Sequence, residues 1–377
     1  MRDQANQGWA RSAWSLLWSR PRVAAALSVL GLIFAACVVT LPWLVSSGPA
    51  DPTPRYNAGT LEGARVGPSL SGPSEAGQDQ APMSVGFWLL GTDGLGRSLL
   101  YRLLVGGAIS LTVGIAAAII SVAIGTVYGA VSGLAGGRVD ALLMRAVDVL
   151  YGLPYILLVV LLAVAIDAAV ERFTVSRVLR LERERIEFIE RAVADAAGTT
   201  DPDGARQRAT RDALAKYGTG ELSQVAQHAI NITTLLVAIG SVSWLTLARV
   251  VRGEVLSLKA RPFVEAARSI GVSRAAILVR HLLPNLAGPI IVYATLAVPQ
   301  AILQESFLSF LGIGIRPPLP SWGNLAADGL SEINPYKSHW WLIAFPCLML
   351  GVTLVSLNLV GDGLRDVLDP RSRDRRA

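Results

Sequence analysis

Few side chains in this sequence stand where they could do chemistry. Glu305 follows Pro299 and Gln300 at the end of a long charge-free run. A carboxylate in hydrocarbon is costly and tends to face a cavity or a partner. Glu305 and Gln300 are therefore candidate ligand contacts, and a hydrogen-bonded packing role is the plainer reading of Glu305. Gly91, Gly94 and Gly96 have the spacing G-x-x-G-x-G, which is not a dinucleotide fingerprint, and no strand precedes them. Asp93 is better placed to cap an interfacial helix over 94–104. A phosphate-binding loop needs a Gly-Lys pair. None of Lys216, Lys259 and Lys337 follows a glycine, so the chain carries no such loop. His228, His281 and His339 are scattered, which gives no metal site, and no Ser/His/Asp or Cys/His set has informative spacing. Cys37 and Cys347 both fall in apolar runs, as two core residues without a disulfide framework.

The elements that hold these residues are apolar. Of 377 residues, 52% are hydrophobic and 16% charged, against roughly 25% charged in soluble domains. Six charge-free stretches, 23–50, 103–137, 149–166, 229–248, 282–304 and 340–361, can each hold one membrane helix. The first is longer than a cleaved leader's apolar core and reads as a retained helix over 23–45. The expected fold class is an all-α polytopic membrane protein with six transmembrane helices.

Six spans put both termini on one side. That side carries 18 basic residues, against six on the other once the long segment 167–228 is set aside. The positive-inside rule makes the basic side cytoplasmic. The net charge of +6 then reflects orientation in the bilayer, and no nucleic-acid partner is implied. The expected layout has seven parts: a cytoplasmic segment at 1–22, the first span at 23–45, and an outer loop with an interfacial helix at 46–102. Spans two and three follow at 103–166, an outer charged insertion at 167–228, spans four to six at 229–361 and a cytoplasmic tail at 362–377.

Between spans four and five lies a short basic stretch, FVEAARSIGVSRAAILVRHLLPN, at 263–285. Pro262 suits the first position of a helix and Gly271 the position just past its end. Phe263, Ala266, Ala267 and Ile270 share one face by spacing. Ser273 can cap a second helix, which Pro284 should close before the fifth span. A two-turn helix is marginal alone, so its apolar face needs cover, from its own bundle or from a cytoplasmic partner.

Glu265-Ala266-Ala267, then Gly271, then Leu283-Pro284 resembles the EAA loop of ABC importer permeases, here 252–284. Four further segments extend the likeness in order: GTDGLGRSLLYRLLVGGAISL at 91–111, ESFLSFLGIG at 305–314, SWGNLAADG at 321–329 and GDGLRDVLDPRSR at 361–373. Together they are similar to permeases that move peptides, dipeptides or nickel complexes, and most of all to the C-type subunit of oligopeptide importers. His281 stands where many permeases have Ile, and Ser98 where the pattern has Asp.

The resemblance implies a type I importer permease fold in the bacterial cytoplasmic membrane. The chain is then no enzyme. It pairs with a second permease, two ABC ATPase subunits that bind ATP and Mg, and an outer peptide-binding protein. Phe263, Glu265, Ala266, Ala267, Ile270, Gly271 and Pro284 would receive the ATPase stroke, and Glu305 and Gln300 would meet peptide. An ion-coupled carrier or a signal transducer would leave the EAA loop unexplained.

The chain departs from the family at 167–228, where a short outer loop is usual. Leu179, Ile186 and Val193 recur every seven residues, with Val175 and Ile189 near the same stripe, and Glu187 and Arg191 form an i, i+4 pair. GTTDPDG at 198–204 should break the helix, and Asp203 can cap a second one through Tyr217. The expectation is an outer helical hairpin whose stripe needs cover, either as a rim decoration or as a contact for the binding protein.

Overall fold

The computed structural model describes residues 18, 20–47, 52–70, 87–195, 202–220, 222–333 and 337–368. The N-terminal segment before Trp18 and the tail beyond Leu368 lie outside them, as does most of the GTTDPDG break. The described residues form helices in the order α1 Pro21–Val45, α2 Leu99–Ala135, α3 Gly137–Tyr151, α4 Tyr155–Asp195, α5 Pro202–Tyr217 and α6 Gln224–Lys259. Then come α7 Pro262–Ser269, α8 Arg274–Ile277, a π-helical turn Leu278–Leu282, α9 Leu283–Phe310, α10 Trp322–Ser331 and α11 Trp341–Leu368.

Five of these stretches are long and apolar enough to cross a membrane alone: α1, α2, α6, the run Arg274–Phe310 and α11. The expected third span, 149–166, does not form one helix. Gly152, Leu153 and Pro154 interrupt it, because Pro154 lacks an N–H and disfavours helix at Leu153. A sixth span exists only if α3 and α4 count together as one bent span. Two other boundaries differ from expectation. No helix starts at Gly94; α2 begins at Leu99 and is about 55 Å long. Pro284 does not end a helix either. It sits at the second position of α9, where a proline is tolerated, directly after a π-helical turn over Leu278–Leu282.

The chain divides into two compact units, Met1–Val160 with Leu235–Ala377, and Leu161–Thr234. In the first, Ile33, Cys37, Leu103, Trp322 and Trp341 form one buried cluster. Cys347, by contrast, is exposed on the surface of the chain. A second cluster gathers Ala130, Val251, Val255, Val264, Ile277 and Leu286. α2 and α6 approach closely along Gly125, Gly129 and Gly133, a small-residue stripe of the kind that lets membrane helices touch backbone to backbone. A Cβ at Gly129 would overlap the Ala248 carbonyl oxygen. Gly129→Ala should therefore force the helices apart and destabilise the chain by about 1–3 kcal/mol. A lowered midpoint in detergent thermal unfolding checks this, and an unchanged midpoint contradicts it.

The second unit holds a helical hairpin, as the hydrophobic spacing suggested. α5 folds back on α4, with the rings of Phe188 and Tyr217 6.0 Å apart and Lys216 over the Phe188 ring. Ala209 and Ala213 of α5 are buried. Arg191 reaches Glu187 at 3.1 Å. The heptad stripe is not what the hairpin covers. Val175, Leu179 and Ile186 stay exposed, while a Cβ on Gly220 would touch Leu181 and Val178. Asp203 stands within the first turn of α5, after Pro202, and so favours the helix through its dipole more than as a cap.

Candidate functional site

Two surfaces of the first unit combine exposure with chemistry. The first is built on α7. Arg261 precedes it in extended conformation and Pro262 opens it. It closes on Gly271 at φ +82°, with the Gly271 N–H donating to the Arg268 carbonyl (3.1 Å) and the Val272 N–H to the Ala267 carbonyl (3.1 Å). That pair of bonds is a Schellman closure, and it needs the left-handed conformation that glycine adopts freely. Ser273 accepts the Ala276 N–H and starts α8.

The face of α7 differs from the spacing argument in one residue. Val264 and Ala267 point into the bundle, against Val251, Val255 and Ile277. Ala267 thus belongs to the packed side. Phe263 (41% exposed), Ala266 and Ile270 (81% exposed) point outward, joined by Val279 from the π-helical turn. Glu265, Arg268, Arg274, Arg280 and Pro284 of the same segment are also exposed. His281 lies 6.4 Å from the Phe263 ring, centroid to centroid.

Polar contacts anchor this surface to the bundle. Arg252 of α6 forks onto Asp140 at 2.5 and 2.6 Å, and Ser132 donates to the same carboxylate at 2.6 Å. Lys259 donates to the Leu134 carbonyl at 2.9 Å, satisfying an orphan group at the end of α2. Arg249 pairs with Asp148 at 2.8 Å and stacks over the Tyr151 ring.

The second surface is a cavity of about 690 Å³ between α4, α6 and α9. Gln300 lines it, one turn from Gln304 on the same helix face. Tyr155 donates to the Gln304 Oε1 at 2.7 Å and lies 2.7 Å from the Ser243 Oγ. Gln304 lines the cavity with its Oε1 engaged, and its amide nitrogen has two N–H groups to donate. Thr246, Leu303 and Phe307 add to the wall. The arrangement is an apolar cleft with a few convergent polar groups, suited to a ligand carrying both amide and apolar groups.

Glu305 is elsewhere. Its side chain is 0% exposed and lies in a ring of hydroxyls, accepting from Ser309 at 2.7 Å and Ser306 at 3.3 Å. The hydroxyls of Ser110 on α2 and Ser321 before α10 also bond it, so it ties α9 to these elements, and it is absent from the cavity lining. The sequence argument missed Tyr155, Ser243 and Gln304. Of these only Gln304 had a signal, its position four residues after Gln300. No group of His, Cys, Asp and Glu able to hold a metal ion occurs among the described residues.

On the face bearing the 91–111 motif, Asp93 organises a turn instead of a helix. Its Oδ1 accepts the Leu95 and Arg97 N–H groups, and its Oδ2 receives Arg97 at 2.8 Å and Arg102 at 2.6 Å. Burial pulls the Asp93 carboxyl upward, but the charges of Arg102 and Arg97 outweigh it, so the group titrates below the usual carboxylate range. Arg65 forks onto Glu332 at 2.7 Å, tying the same loop to the end of α10.

Comparison with known proteins agrees with this architecture. The chain is 40% identical to the oligopeptide transport system permease protein OppC of Haemophilus influenzae, over 78% of this chain and 73% of that one. It is 38% identical to the dipeptide transport system permease protein DppC of Bacillus subtilis, over 82% and 78% of the two chains. With OppC of Escherichia coli K12 it shares 40% identity over 75% and 72%. The family described as binding-protein-dependent transport system inner membrane component matches residues 121–374, a stretch that takes in both the α7 surface and the cavity, and this multi-pass membrane chain belongs to that family.

Proposed function

We propose that this chain is the C-type permease subunit of an oligopeptide importer, in which α7 receives motion from an ATPase and the Tyr155–Ser243–Gln304 cavity lines the peptide path. The observation that carries this reading is the continuity of α6. Ser243 and Thr246 of that one helix line the cavity, and its last residue, Lys259, precedes α7 by only Ala260 and Arg261. About 24 Å of unbroken helix therefore joins the two surfaces, so a displacement of α7 tilts the cavity wall. That is the rigid-body element alternating access requires.

In this reading both termini and the 252–284 loop are cytoplasmic, as the excess of basic residues on that side supports. ATP and Mg sit on two partner ATPases. A second permease closes the open side of the cavity, and a binding protein delivers peptide from outside. Glu305 has a packing role. Peptide cargo rests on the names of the OppC relatives, and the DppC relative supports dipeptides as the second reading.

The test is ATP-dependent uptake of a labelled peptide into proteoliposomes carrying the whole complex. Gln304→Leu removes the amide donors and should cut uptake about tenfold, the value of one hydrogen bond at the upper end of its usual range. Unchanged uptake would remove the cavity from the path. Uptake driven by an ion gradient without ATP would overturn the importer reading itself.

A further inference from the structure

We propose that the Leu161–Thr234 unit holds an anionic phospholipid, with one acyl chain in an apolar groove and its phosphate on Arg177. The groove has a volume of about 660 Å³. Ile166, Ala169, Val170, Phe173, Thr174 and Arg177 line it from α4. Their spacing is i, i+3, i+4, i+7, i+8, i+11, which is one helix face. Leu222, just before α6, and Ile230, in its second turn, line the other side. Asp167 and Glu171 each follow a lining residue by one position and fall off this face.

Three observations choose lipid as the occupant. The groove sits where two apolar runs end, the α4 part of one at Ile166 and the start of the other at Ala229 in α6, which is the level at which hydrocarbon gives way to headgroups. Its wall is almost wholly apolar except at Arg177, at the water-side end of the stripe. Arg177 is exposed and makes no ion pair or hydrogen bond among the described residues, whereas Arg191 on the same helix is paired. A free guanidinium one turn beyond an apolar slot matches the phosphate and acyl chain of one lipid molecule, with the fork geometry suited to phosphate oxygens. Phe173, 71% exposed beside the groove, has the size and position of an interfacial aromatic residue.

The experiment is native mass spectrometry of the purified importer titrated with dioleoyl phosphatidylglycerol or dioleoyl phosphatidylcholine. The wild-type complex should retain phosphatidylglycerol in preference. Arg177→Gln, at an exposed site where the fold is not at stake, should lower phosphatidylglycerol retention about fivefold and abolish the preference. Ala169→Phe should fill the groove and lose the lipid with either headgroup. Arg183→Gln, beyond the groove and off this face of α4, should behave as wild type. Wild-type retention and preference in either Arg177→Gln or Ala169→Phe overturns the proposal, the first by removing the headgroup contact and the second by removing the chain from the groove.

Discussion

Gly271→Val should abolish ATP-driven peptide uptake while the protein still inserts and assembles. Gly271 is at φ +82°, and a Cβ built there meets nothing within 4 Å. The cost is therefore in the backbone and not in packing. A β-branched residue in that region is a genuine outlier. If the substituted position relaxes to negative φ, the bonds from residues 271 and 272 back to Arg268 and Ala267 are lost. The chain then leaves α7 in a new direction, and α8 with the π-helical turn after it, including His281 beside Phe263, shifts relative to α7. A stroke delivered to that surface would meet a mispositioned helix. Gly271→Asn should retain much of the activity, since asparagine tolerates the left-handed region. Transport by reconstituted complexes, scored against the amount of assembled protein, checks this; wild-type rates in the valine variant would refute it.

Asp93→Ala should destabilise the chain by about 3–5 kcal/mol, because it leaves a buried cation without its partner. Arg102 is 2% exposed, pairs with Asp93 at 2.6 Å, and among the described residues has Asp328 at 3.7 Å as its one other acid. The same substitution frees the Leu95 and Arg97 N–H groups that shape the turn before α2. Thermal unfolding in detergent should show a large drop, and Asp93→Ala with Arg102→Leu should recover part of it, since the unpaired charge is then gone. If Asp93→Ala alone unfolds like wild type, the cluster is not holding this loop. The pH dependence has a definite sign. The folded Asp93 pKa is depressed, so its stabilisation is complete above the unfolded value of about 3.9 and is lost as pH falls through the lower, folded value.

Membrane class, helix caps and the short helix α7 were legible because they depend on neighbours in the chain. Charge-free runs of about 20 residues have one stable fate in water and lipid, and Pro262, Gly271 and Ser273 act through backbone geometry within a turn or two. The same local logic misjudged Pro284, which stands in the first turn of α9, directly after a π-helical turn that no propensity encodes. It also misjudged Asp93, whose carboxylate was drawn from a cap into an ion pair with Arg102, nine residues on.

By itself the sequence determined an all-helical membrane chain, the short helix that Pro262 opens and Gly271 closes, and the presence of a charged helical hairpin. Periodicity and composition are sums over adjacent residues, so each could be read without coordinates. Only the tertiary structure decided which polar side chains face a cavity. Gln304 and Glu305 are consecutive, yet about 100° of helix rotation separates them. One turns to Tyr155 and Ser243, the second wholly into serines of its own bundle. Which side of α9 the rest of the chain covers depends on how distant helices pack, through contacts such as the 149 residues separating Tyr155 from Gln304. No local pattern carries that information.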